Sequence, residues 1–286
     1  FEEHHINSII SKLEELEIIE VNGNEKNFNN VNLIVRKHKD KRFNVNFDIK
    51  ENFKNLILNL QGADFYNREI ILSNCTLNTP DASFNNSKSS FFIKNNSKLN
   101  AEGSSFFFTD EGKLSVEEGG ILNAGGSAIH GNVNVSGGML NADGSDILEN
   151  VTIENNGTVN ANDSGISGEV TVSNGTLNAD ISEFYKNVIL LDGIINAENS
   201  TFGNPCYVST VTAVSVENNG ILNADRSNFY GVVFNIKGSG ILNAYKSFFI
   251  GNITVSSGKL NAENSTFGDP CYVSTVTAVS VENNGI

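Results

Sequence analysis

Three carboxylates, Asp180, Glu198 and Asp225, hold the same place in consecutive repeats of this chain and belong to a column with Glu102, Asp143 and Glu263. Gly125, Asn162 and Tyr245 interrupt that column. Carboxylates one strand spacing apart repel by about 1 kcal/mol per neighbour even in water, and a hard divalent cation such as calcium relieves that repulsion. Asp180, Glu198 and Asp225 are therefore the candidate metal ligands, for a hard divalent cation such as calcium. Against this, calcium wants about six to eight oxygens, and the aspartate-and-glycine nonapeptide of calcium-binding β-rolls is missing. A solvated face that resists aggregation is the competing purpose.

Acid–base chemistry on sugars needs paired carboxylates, or an Arg or Lys base beside clustered acids. Asp225 next to Arg226 is the hint of such an arrangement within the acidic column. His4, His5, His38 and His130 have no metal partner at useful spacing. A nucleophile elbow, a phosphate loop and a Cys-x-x-Cys pair are all missing. The expectation is a protein without catalytic residues or cofactor.

Cysteines mark a second set of candidates. Cys206 and Cys271 sit in identical contexts, since Asn196 to Ile221 and Asn261 to Ile286 differ only at Asn204 and Asp269. Three repeats separate the two thiols, about 14 Å along a stack of strands, beyond the roughly 7 Å Cα limit of a disulfide. They cannot pair with each other in a regular stack, and Cys75 lies elsewhere. Around them, segments 203–213 and 268–278 lengthen a link that is otherwise four residues, as from Phe184 to Val188, to the twelve from Phe202 to Val214. These are expected to leave the wall as paired arms. Cys206, Tyr207, Val208, Cys271, Tyr272 and Val273 are the candidate contact residues, with the two tyrosines as anchors. The alternative is a duplicated bulge folded over its own wall.

What must position all of these is a repeat. Val170 and Val172, Leu177 and Ala179, and Ser182 and Phe184 are three pairs of apolar or small residues, each pair split by one polar residue, as in a half-buried strand. The next unit repeats them eighteen residues on, from Val188 to Phe202. Three short strands and three corners per period describe a parallel β-solenoid. Counted by their Leu-x-small strand, from Leu58 through Leu77, Leu99 and on to Leu260, there are eleven coils. At about 4.8 Å each the stack is roughly 50 Å tall. Phe106, Phe184, Phe202, Phe229, Phe249 and Phe267, with Ile129, Ile147 and Ile166, read as one buried column. The Asn of Leu-Asn-Ala, from Asn100 to Asn261, reads as an amide ladder, with left-handed backbone as the other explanation of its constancy.

Before the coils, Ile6, Ile9, Ile10, Leu13, Leu16 and Ile19 lie at helical spacing, so residues 1–20 are expected to be an amphipathic capping helix. Residues 21–57 read as strands joined by a basic turn, from Arg36 to Arg42. Residues 58–286 form the parallel β-helix. The coil after Asn261 stops at Ile286 before its core strand, so the expectation is either that the natural protein continues or that another copy completes the stack, as head-to-tail continuation into a filament.

Composition excludes several classes. A net charge of −14 with 46 Asn and 26 Gly in 286 residues offers no basic footprint for nucleic acid. No apolar run approaches the roughly 20 residues of a membrane-spanning helix.

The repeat text, G-x-LNA followed by S-x-F and V-x-V, resembles the passenger segments of self-associating autotransporter adhesins and filamentous-haemagglutinin-like proteins. The resemblance covers Leu58 to Ile286. It implies a right-handed β-helix, export to a bacterial surface or the extracellular space, and adhesion or self-association, with further copies or a surface polysaccharide as partners. It transfers no site residues. The rival expectation is a carbohydrate-active β-helix that binds or cleaves acidic polysaccharide.

Overall fold

The alternation of inward and outward residues closes into coils because each coil has three walls of two to six residues and a tight corner between them. The computed structural model describes residues 19–22, 32–35, 56–59, 62, 64–66, 70–86, 90–109, 112–204, 212–268 and 279–282. These form an all-β parallel solenoid with no helix among the described residues.

Each coil contributes one strand to three walls. In the valine wall, Val133, Val151, Val170, Val188 and Val214 stack in register. In the asparagine wall, Leu58, Leu77, Leu99, Leu122 and Leu140 stack likewise, followed by Val159, Leu177, Ile195, Leu222, Leu242 and Leu260. The phenylalanine wall is a separate sheet of eleven strands, about 50 Å from first to last at the usual strand spacing.

The core is a set of columns rather than a pool. Phe84 and Phe106 stack face to face at 4.7 Å. Ile129, Ile147 and Ile166 follow in register, and Phe184, Phe202, Phe229 and Phe249 resume the stack at 4.5–4.9 Å, with Phe267 stacked on Phe249 at 5.0 Å but exposed rather than buried as expected. Stacked rings add roughly 0.5–1.5 kcal/mol per pair beyond their burial. Within the valine wall Val188 and Leu190 face inward, and Ile189 lies on the outer face.

A glycine two residues before the core Leu turns the corner from valine wall to asparagine wall. A Cβ at Gly120 would lie 2.1 Å from the Ile93 carbonyl oxygen of the preceding coil, and one at Gly157 2.4 Å from that of Val135. At Gly120 and Gly157 only glycine avoids that clash, whereas buried Cys75 and Ser97 hold the same corner in earlier coils.

Several expectations change. Leu-Asn-Ala and Ser-x-Phe are not complete strands: Ala179 and Ser182 are buried at the corner, outside strands Val170–Asn178 and Glu183–Phe184. The ladder asparagines take ordinary strand backbone, so left-handed conformation does not explain them. At the N-terminal side, Asn32–Val35 pairs in parallel with Leu56–Asn59, placing Leu33 in register with Leu58. It also pairs antiparallel with Ile19–Asn22. Ile19 and Glu20 are thus strand, where the capping helix was expected to end, and the rest of that helix lies outside the described residues. So do the second strand and basic turn of 36–49, and the chain end after 282.

Candidate functional site

The asparagine wall carries an uninterrupted amide ladder. Each side chain donates through Nδ2 to Oδ1 of the preceding coil: Asn178 to Asn160, Asn196 to Asn178, Asn223 to Asn196 and Asn243 to Asn223, all at 2.8 Å. The same bond links Asn100, Asn123, Asn141 and Asn160 at 2.5–2.7 Å, and Asn261 to Asn243 at 2.6 Å. Asn100 donates to Asn78 at 2.6 Å, so the ladder reaches one coil further than the sequence reading. These amides, half-buried except for the exposed Asn261, face outward from a strand whose Leu and Ala neighbours fill the core.

Two residues beyond each ladder Asn stands the acidic column. Asp180 Oδ1 accepts the Glu198 N–H at 2.8 Å, and Asp225 Oδ1 accepts the Tyr245 N–H at 2.8 Å. Asn162 does the same for Asp180 at 3.0 Å, and Asp143 for Asn162 at 2.8 Å. Short side chains in this column therefore cap the backbone of the next coil. Glu198 is too long for that bond and meets Arg226 at 2.6 Å, while the Arg226 Nε–H donates to Asn199. Both charges are about half exposed, so the pair is worth at most about 1 kcal/mol.

Asp180, Glu198 and Asp225 thus share a wall, and each gives one oxygen to a different partner. Among the described residues no group of three or more His, Cys, Asp or Glu is placed to hold a metal ion. Arg226 reaches back to the preceding coil rather than converging with Asp225. Cys206, Tyr207, Val208, Cys271, Tyr272 and Val273 lie outside the described residues. At the first arm's ends, Gly203 and Thr212 remain in the wall, through the Gly203 N–H to the Phe184 carbonyl at 2.8 Å and the pairing of Thr212 with Val232.

Ladder and column together line a trough that runs along the solenoid axis, with a volume of about 690 Å³. Six ladder amides, from Asn160 to Asn261, form one side; Asn162, Asp180, Glu198, Asp225, Tyr245 and Glu263 form the other. No Lys, Arg or His among the described residues lines it. Displaced pKa values occur at Cys75, where burial pushes the thiol up, at Tyr185, and at Glu217, where the Ser215 hydroxyl holds the carboxyl down. None of these three lines the trough.

No family model and no curated protein matches this chain. Among solved structures it is similar to a hyper-glycosylated TibA fragment, glycosylated through catalysis by TibC, at 14% identity and a TM-score of 0.37. That match covers 82% of this chain and 94% of the other.

The sequence reading missed a second ladder, inside the rod. Ser104, Ser127, Ser145, Ser164, Ser182, Ser200, Ser227 and Ser247 are all buried at the corner after the acidic column. Each hydroxyl accepts the N–H of the preceding coil's serine, or of Ala82 for Ser104, at 3.0–3.2 Å. Each also donates to a carbonyl of that coil at 2.8–3.1 Å, as Ser182 does to Ala161. Here the strand ladder is broken by the corner, and the hydroxyl replaces both missing bonds. The signal was present: the position is Ser in every one of these coils, where a merely small residue would vary with Ala and Gly.

Proposed function

We propose that this chain is a non-enzymatic β-solenoid rod that works outside the cell or at a cell surface as an adhesive element. The observation that carries the reading is the commitment of its polar side chains to the stack. Amide, hydroxyl and carboxylate columns each bond coil to coil, and the acid–base contacts Arg226–Glu198 and Lys237–Glu217 are ion pairs between neighbouring coils with partly exposed side chains. Such a rod displays a long, regular side face, and its functional property is that face rather than a reaction. The resemblance of the G-x-LNA repeats to adhesin passenger segments points the same way, and it extends the proposal to contacts between copies, for which the arms within 203–213 and 268–278 are the segments to shorten to the four-residue link of Phe184 to Val188. Action on an acidic polysaccharide fits poorly, because the trough is lined by four carboxylates and would repel uronates. The test is electron microscopy of the full chain together with a reducing-sugar release assay on polysaccharide gels. Slender rods, alone or associated, that release no sugar support the reading. Compact particles, or steady release of sugar, overturn it.

A further inference from the structure

We infer that the axial trough is a binding site for a neutral, extended polysaccharide that lies parallel to the solenoid axis with about one sugar ring per coil. The inference rests on the adhesive reading and assigns its ligand. Each ladder amide has two N–H donors and two oxygen lone pairs, and the ladder uses one of each. One donor and one acceptor remain on each of the half-buried amides Asn160, Asn178, Asn196, Asn223 and Asn243, and the exposed Asn261 ends the row at the sixth coil.

Period selects the ligand. The coils recur at about 4.8 Å, and a pyranose in an extended β-linked chain advances only slightly farther per ring, so successive rings stay within reach of successive amides while alternate rings turn opposite edges to them. An extended peptide rises about 3.3 Å per residue and falls out of step within two coils. Charge selects further. With Asp180, Glu198, Asp225 and Glu263 along one side, phosphate backbones and polyuronates are repelled, whereas sugar hydroxyls donate well to carboxylates. Asp180 and Asp225 bond the next coil through Oδ1, which leaves Oδ2 to face a ligand. Tyr245 supplies an aromatic ring among these polar groups, the usual companion of hydrogen-bonding groups at a sugar site.

The test is isothermal titration of the full chain with cello- and chito-oligosaccharides from disaccharide to octasaccharide, with polygalacturonate as the acidic comparator. Affinity is expected to rise with each ring to about the hexasaccharide and then level off, and to survive added salt, since no charge pairing is involved. Tyr245→Ala, with circular dichroism unchanged, is expected to weaken hexasaccharide binding about fivefold to tenfold. Absence of binding, equal binding of disaccharide and hexasaccharide, or preference for polygalacturonate overturns the assignment. Adhesion of chain-coated beads is read in parallel: beads that adhere while no oligosaccharide binds refute the trough and leave the adhesive rod standing. Oligosaccharide binding without bead adhesion supports the trough and refutes the adhesive role.

Discussion

Replacing Ser182 with Ala removes one oxygen from the interior and leaves two groups of the preceding coil without partners. Ser164 N–H loses its acceptor at 3.2 Å, and the Ala161 carbonyl loses its donor at 2.8 Å. Ser182, Ser164 and Ala161 are at most 4% exposed, so water does not replace the hydroxyl without opening the corner. An orphaned buried polar group costs about 1–3 kcal/mol, which places Ser182→Ala at roughly 2–4 kcal/mol. The comparison is Asn178→Ala, which also breaks two bonds, both of 2.8 Å. Those amides are half-buried and water can take over, so about 1 kcal/mol is expected. Because a solenoid's coils interact only with their neighbours, the loss is local. Native-state hydrogen exchange should show faster opening in the coils containing Ser164 and Ser182 and little change beyond Phe229. Equal costs of about 1 kcal/mol for the two variants would refute the claim that the buried serine ladder, rather than the visible asparagine ladder, holds the corners.

Thr79 takes the place that Ala holds in the later coils, and its buried hydroxyl has no partner; Thr79→Val should stabilise the first coils by about 1 kcal/mol or more in urea unfolding. Ile181 is a β-branched residue at φ 61 and 63% exposed, where Gly103, Gly126 and Asn199 stand in other coils; Ile181→Asn should gain about 1 kcal/mol, seen as a higher unfolding midpoint. Tyr185 donates its hydroxyl to the Glu183 carboxylate, and that bond first, then burial, pushes its pKa up to about 12. The fold favours the protonated phenol, so this contribution is present below the ordinary pKa of about 10 and is lost as pH rises through about 12; Glu183→Gln should return the phenolate absorbance midpoint toward the ordinary value.

Period, inward teeth and aromatic column were all legible because each depends only on which residues are apolar and how far apart they stand. Phe184 and Leu177 announce their burial by type. Ser182 does not, since a small polar residue at a corner reads equally as filler or as a hydrogen-bonding group. Its role follows from where the corner breaks the backbone ladder, which depends on three-dimensional geometry. The same holds for the carboxylates. Asp180 and Glu198 look alike in sequence, yet one methylene decides that Asp180 caps the next coil's N–H and Glu198 reaches Arg226. The calcium expectation treated the column as equivalent ligands, and the structure shows unequal side chains bound to unequal partners. The local text of Asn32–Val35 and the charged link after it predict only strands joined by a basic turn. The parallel register of Asn32–Val35 with Leu56–Asn59 comes from the stack and has no local signature.

The most direct test of the account is the behaviour of beads coated with the full chain on a neutral polysaccharide matrix, scored for attachment while the supernatant is assayed for released sugar. The account predicts attachment above that of albumin-coated beads, competition by soluble hexasaccharide, and a supernatant free of fragments. Attachment no better than albumin, or fragments accumulating with time, would contradict it.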